Sequence, residues 1–403
     1  MIVITGGDVV LPDRILPNAS LIIDGSRIVA VEAGRVDSPG ATIVAAPDCF
    51  VVPGFVDVHV HGVGGHDTLN DGEPVAAIAA LLPGYGVTSF SPTTVACPPA
   101  GLAGVLRQVA ALRAARPPGS ARVLPAHLES NFINPEYRGA QPAECLRRPP
   151  GGQAGSGDRQ NSGEFSGEDI LKVIAGARQD VGIVTLAPEL PGGIDLVRTL
   201  VAAGHRVSLG HTGASFDEAM AAIDAGARHA THLFNRMAPI THRAPGVAGA
   251  ILAREEVAAE LICDGHHVHA TMARIAVASK GVGRMIAITD ATAGAGLPVG
   301  STALLGGHRI RVTDQAALLG DGTLAGSTLT MDRAFATIVR GFGCSVTEAS
   351  LMCSTTPARE LGLAGFGAIA EGSVADLAIL DRDFRVVRTF IGGEEVYRFG
   401  ADA

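Results

Sequence analysis

The sequence predicts an α/β protein: a (β/α)8 TIM-type barrel with a small β-sandwich domain formed from both chain termini. Three observations lead there. The chain has 403 residues, enough for a barrel-sized domain plus a smaller one. Its middle alternates strand-like apolar runs with Ala/Leu-rich stretches of helical period. Its two ends read as short strands with turns, unlike the middle.

The elements follow in order. Residues 1–52 hold three alternating runs, IVITGGDVVLP, ASLIIDGSRIVAVEAG and ATIVAAPDCFVVPG, with Asp-Gly and Gly-Gly at the turns. Residues 367–403 contain GSVADLAILDRDFRVVRTFIGGEEVYRF, of the same character, and complete the small domain. Barrel strands are expected within 54–61, 87–94, 122–130, 183–189, 206–212, 229–235, 258–264 and 285–290 of a barrel domain spanning 53–366. Helical repeats such as EPVAAIAALLPGYG, LAGVLRQVAALRAAR and SFDEAMAAIDAGA lie between them. Two segments break the rhythm. PPGGQAGSGDRQNSGEF (149–165) reads as a flexible loop, and 297–323 as a β-hairpin excursion after the last strand.

Composition excludes several function classes. Aromatic residues are 4%, Trp is absent and the net charge is −9, which argues against a nucleic-acid or anionic-membrane surface. The six cysteines form no CxxC pair, so neither a zinc knuckle nor a disulfide framework is indicated and a reducing compartment fits. The first residues, MIVITGGDVVLP, lack a basic segment followed by an apolar core. No apolar run of roughly 18 residues or more appears. The cytoplasm is the expected location.

Polar residues cluster near the C-terminal ends of the expected strands, the rim where barrel chemistry sits. His59 and His61 in FVDVHVHG alternate, so both imidazoles share one face of a strand and can share a metal ion. Taken alone, such a pair is usually incidental. Glu129 ends a later strand with His127 on the same face, and His211 and His232 each end an apolar run. Borderline cations take imidazole nitrogen with carboxylate oxygen, which this set supplies. Asp290 closes the last strand, where a carboxylate can move a proton or cap a helix. His205 and His229 read as buried, hydrogen-bonded side chains. The DGHHVH run (264–269) offers three imidazoles, of which His267 is placed to face the pocket. One such residue could be chance; the His59–His61 pair, Glu129, His211, His232 and Asp290 at the ends of five strands form a constellation.

Several motifs then resemble, in order, those of N-acetylglucosamine-6-phosphate deacetylases in the amidohydrolase superfamily. They are PGFVDVHVHG, HLESNFINPEYRGAQ, TLAPE, GHTGAS, ATHLFNRM, THRAPGVAGAIL, ICDGHHV, ITDAT and GTLAGSTLTM, with EGSVADLAILD near the end. The resemblance implies hydrolysis of the acetamide of N-acetylglucosamine 6-phosphate. Glu129, His211 and His232 would hold a divalent metal, with His59 and His61 adding a second site. Zinc is expected first, with iron, manganese or cobalt as alternatives. Asp290 would be the catalytic acid/base and a further metal ligand, and His267 would touch the substrate near the scissile amide. Asn235 and Arg236 would offer backbone N–H groups to phosphate, and Arg243 would reach it bidentately. Since that Arg can come from a neighbouring subunit, a homodimer is implied. Ala140, Gln141, Leu324, Ala325 and Gly326 match substrate-lining segments.

Three departures from the resemblance bear on the sugar. Ser130-Asn131-Phe132 replaces Gly-Pro-Phe, Gln141 stands in place of a sugar-contacting His, and the 149–165 loop is long. All are expected on the sugar side, so N-acetylgalactosamine 6-phosphate or another N-acyl amino sugar is a competing substrate. A cyclic amidase or deaminase of the superfamily is a second reading. Neither of the chain's two lysines, Lys172 and Lys280, ends a strand, which argues against the carboxylated-lysine branch. A non-catalytic scaffold is the third.

Overall fold

The computed structural model describes residues 1–36, 38–151 and 164–400. Most of the 149–165 loop therefore lies outside the described residues. Eight strands and eight helices alternate through the middle of the chain. The strands are β1 (Phe55–Val60), β2 (Val87–Thr94), β3 (Ala126–Glu129), β4 (Val181–Leu186), β5 (Arg206–Leu209), β6 (His229–Ala230), β7 (Ala258–Ile262) and β8 (Met285–Ile288). The helices are α1 (Pro74–Leu81), α2 (Pro99–Ala114), α3 (Gly167–Gly176), α4 (Gly193–Ala202), α5 (Phe216–Asp224), α6 (Gly246–Ala253), α7 (Ala270–Lys280) and α8 (Met331–Arg340). Helix starts follow local chemistry. Ser166 with Asp169 and Ser215 with Glu218 form reciprocal capping boxes for α3 and α5. Pro74 and Pro99 open α1 and α2, where a missing N–H does no harm.

Each strand from β1 to β8 pairs in parallel with the next. Closure between β8 and β1 is made just past the strands, by a bridge from Val60 to Ala291 and by the Asp290 N–H donating to His59 O at 3.1 Å. This is a TIM-type barrel. Several strands stop short of the extents expected from apolar runs, because the chain turns sharply at its functional residues. His211, His232 and Asp290 have φ of 48°, 28° and 50°, the left-handed region that ends a strand. The run at 122–130 splits into Arg122–Val123 and Ala126–Glu129 around Pro125, whose ring nitrogen has no N–H to donate.

The terminal segments supply eight strands that hydrogen-bond into one sheet. It forks at Ile2–Val10, which pairs with Ile15–Asp24 on one side and with both Thr42–Ala45 and Phe50–Pro53 on the other. The sheet encloses its own core, with Ile4, Leu21, Ile23, Val51, Ile379 and Phe390 fully buried. The excursion after β8 is three short antiparallel strands within 302–318, not two. Val95, Leu305, Ile310 and Ala325 pack beneath it, so it stands as a wall over the barrel mouth.

Candidate metal centre and active site

At the C-terminal rim, six side chains converge. His59 and Asp57 alternate with Val56, Val58 and Val60, so β1 turns its polar face inward. Glu129 Oε1 lies 2.7 Å from the Nε2 atoms of both His211 and His232. Those two nitrogens are 3.1 Å apart, and the Nε2 atoms of His59 and His61 are 3.2 Å apart. Glu129 Oε2 sits 3.4 Å from His61 Nε2. Asp290 Oδ1 lies 3.4 Å from His59 Nε2 and 3.3 Å from His61 Nε2. All six residues are buried, Asp290 being the most exposed at 7%.

This geometry suits a cation. Two nitrogens held about 2.05 Å from one tetrahedral ion lie about 3.3 Å apart, close to both observed pairs. The electrostatics agree. Burial opposes charge on His59 and His61, yet nearby Asp290, Glu260 and Glu129 raise them to about 9 and about 10. Burial likewise works against the charge of Glu129 and Asp290, but the surrounding imidazoles hold both below the ordinary carboxylate range. Carboxylates that raise neighbouring imidazoles in this way favour positive charge in the pocket, and a cation could supply it.

Beneath the centre lies a residue that sequence reasoning missed. Glu260, in the middle of β7 and fully buried, accepts from His59 Nδ1 and His229 Nε2, each at 2.9 Å, and from the His232 N–H at 3.2 Å. Burial disfavours its charge, but His59 and the hydrogen bond from His229 keep it well below the usual range. A carboxylate accepting from Nδ1 fixes the His59 tautomer and leaves the Nε2 lone pair facing the centre. Its only sequence signal was a Glu inside an apolar strand, AAELI. His211 is anchored in the same way by Tyr137 O at 2.8 Å. Among the described residues, His61 and His232 have no such partner at Nδ1.

The network continues downward with fixed polarity. Burial lowers His127 to about 3, so the ring is neutral. Its Nδ1 donates to Val58 O, and its Nε2 therefore accepts from Thr185 Oγ1. Thr185 in turn accepts from Thr231, which accepts from Ser208. His59, His127 and Glu260 also lie close enough to suggest a cation site, but hydrogen bonds already account for those contacts.

The model of the amidohydrolase family matches residues 50–396. The N-acetylglucosamine-6-phosphate deacetylase of Bacillus subtilis (strain 168) is 33% identical over 390 residues, covering 96% of this chain and 94% of that protein. The N-acetylgalactosamine-6-phosphate deacetylase of Escherichia coli O157:H7 is 34% identical, with 85% and 86% covered. A solved mutant of the Mycobacterium smegmatis N-acetyl-D-glucosamine-6-phosphate deacetylase, in complex with N-acetyl-D-glucosamine-6-phosphate, superposes with a TM-score of 0.86 at 32% identity, covering 98% of this chain and 99% of that one. The chain belongs to the N-acetylglucosamine-6-phosphate deacetylase family of amidohydrolases.

Amidohydrolases depend on metal, and the His/Glu groups of this one can hold it. A cavity of about 510 Å³ opens above the centre, within the range of small-ligand sites. It is lined by Ala140, Gln141, Asn235, Arg236, His267, Leu324 and Gly326 among the residues expected from sequence. Tyr137, Phe234, Met237 and Leu305 also line it and were not expected. Gly326 is required by packing: its φ is +59°, and a Cβ there would meet Asp290 O at 2.9 Å. His267 is anchored through Nδ1 to Asp264 Oδ2 at 2.6 Å. Burial lowers its basicity, but Asp264 outweighs this and raises it.

Other expected residues are placed differently. Ala325 is fully buried under the three-stranded wall, its N–H donating to Ala317 O, so it supports the cavity rather than lining it. The Asn235 N–H is already engaged with His232 O at 2.9 Å, leaving it no donor for phosphate from that atom. Arg243 is exposed and does not line the cavity. Ser130, Asn131 and Phe132 are buried below the rim. Ser130 donates to Thr185 O, and Asn131 donates to Cys97 O and Cys145 O. None of the three lines the cavity.

Proposed function

We propose that this enzyme hydrolyses the acetamide of N-acetylglucosamine 6-phosphate, giving glucosamine 6-phosphate and acetate for amino-sugar catabolism. The observation that carries the reading is the convergence of Glu129, His211, His232, His59, His61 and Asp290 on the floor of one cavity. Glu129, His211 and His232 would hold one ion, and His59 and His61 with Asp290 a second. Nitrogen and carboxylate donors favour zinc, with iron, manganese or cobalt also suited. A divalent cation there supplies Lewis acidity, polarising the acetyl carbonyl and making water easier to deprotonate.

The chain's own groups do the rest. Asp290 removes a proton from the attacking water, whose oxygen forms the new bond to the acetyl carbon. His267 donates to the carbonyl oxygen as negative charge builds on it. Asp290 then passes its proton to the amide nitrogen as the C–N bond breaks. Phe234, Met237 and Leu305 wall the cavity and limit water. Arg236 reaches the phosphate end, and Arg243 completes it from a second copy in a homodimer. The exposed Ile240 and the apolar hollow formed with Phe234, Met237 and Met272 support that pairing. A sugar phosphate carries charge that a bilayer does not pass, so the enzyme belongs in the cytoplasm with its substrate. Among the described residues no helix is long and apolar enough to cross a membrane.

The test joins acetate release to metal analysis. Asp290→Asn should lower kcat by about 10²–10⁴-fold while the ion at Glu129, His211 and His232 stays bound. Near-normal turnover with metal bound would remove Asp290 from its role. The second reading, N-acetylgalactosamine 6-phosphate, draws on the 34% identical relative of that name. A higher kcat/KM on the galacto substrate would favour it.

A further inference from the structure

Gln141 matches a sugar-lining segment, yet both ends of its carboxamide are engaged with the protein. Its Oε1 accepts the Ala96 N–H at 2.7 Å, and its Nε2 donates to Glu129 Oε2. A backbone N–H can only donate, so the Gln141 oxygen must face Ala96 and the NH2 must face Glu129. The residue is 5% exposed.

The consequence falls on Glu129. Its Oε1 serves His211 and His232, each at 2.7 Å, and its Oε2 faces His61 at 3.4 Å. The carboxylate is divided, one oxygen toward each imidazole pair. Its terminal torsion is intrinsically broad, so an unrestrained Glu129 can turn both oxygens toward a single ion. The Gln141 N–H uses one lone pair of Oε2 and leaves the other, which fixes the plane without closing the oxygen to a cation. N–H donation also draws charge from Oε2, an opposing effect. Among the described residues His61 has no partner at Nδ1 to hold its ring, so the direction of Oε2 matters most on the His59–His61 side.

We propose that Gln141 is a positioning residue for Glu129, holding the carboxylate divided between the two imidazole pairs and setting cation affinity at the His59–His61 pair. This rests on reading those groups as cation ligands. The test measures zinc stoichiometry and stepwise affinity by chelator competition in the full chain, for the parent, Gln141→Leu and Gln141→Met. The parent should take up two ions. In both variants the first affinity should hold within about threefold and the second fall about 10–100-fold. Unchanged second affinity, equal loss at both steps, or a parent that takes up one ion each overturn the proposal and leave the metal site itself standing. A parent that takes up none overturns both. Electron paramagnetic resonance of the manganese-loaded parent needs no variant and covers the case in which the variants fail to fold. Exchange-coupled ions support the divided Glu129, and two uncoupled spectra overturn it.

Discussion

The two imidazole pairs reach one centre by different routes. His59 and His61 come from a single strand and its immediate exit, placed by the two-residue repeat of β structure. His211 and His232 come from separate strands, and each sits where the chain has turned into the left-handed region, with φ of 48° and 28°. The first pair is held by sheet regularity and the second by local backbone conformations that are costly for residues with a side chain. A metal centre is thus half lattice and half strain. The strained half is the one in direct contact with Glu129.

That contrast can be tested, starting with the largest effect. His211→Ala should abolish the ion at the Glu129 side and lower kcat/KM by more than about 100-fold, beyond the range of supporting contacts. His59→Ala should leave one tight ion and cost less. Equal losses of metal and activity in the two variants would erase the distinction. Glu260→Gln should weaken metal binding by about 10–100-fold, with the loss concentrated on the His59–His61 side, where Glu260 fixes the tautomer; zinc titration reads this directly.

The smallest expected effect concerns stability. Burial raises Asp57 to about 7, against the lowering pull of the Thr289 hydroxyl. A carboxyl raised in the folded state stays protonated there while the unfolded chain, near about 3.9, releases its proton. Its contribution is therefore fully present below about pH 4 and lost as pH rises through about 7. Denaturant unfolding between pH 5 and 8 should show this decline, and Asp57→Asn should flatten it.

Much of this site was legible in the sequence, and the misses are instructive. His59 and His61 could be placed because alternation is a rule of geometry, and Glu129 because it ends an apolar run. The strand ends at His211, His232 and Asp290 ran too long, since a left-handed residue leaves no mark in hydrophobic patterning. Glu260 was invisible for the opposite reason: it lies inside a strand, and its partners come from other strands. The bond from the Asn235 N–H to His232 O was also out of reach, because a backbone N–H in use looks the same in sequence as a free one.

The barrel's seam lies at these same residues. Between β8 and β1, closure depends on the Asp290 N–H bonded to His59 O and on the His61 N–H bonded to Ala291 O at 2.8 Å. Backbone and side chains of the same residues therefore act as fastener and as chemistry. An ion gripped by these side chains also clamps the last joint of the cylinder, so losing it should let that joint breathe before the rest. The architecture ties its own completion to the placement of Asp290: a barrel that is not fully shut is also a barrel whose proposed acid/base group is out of place.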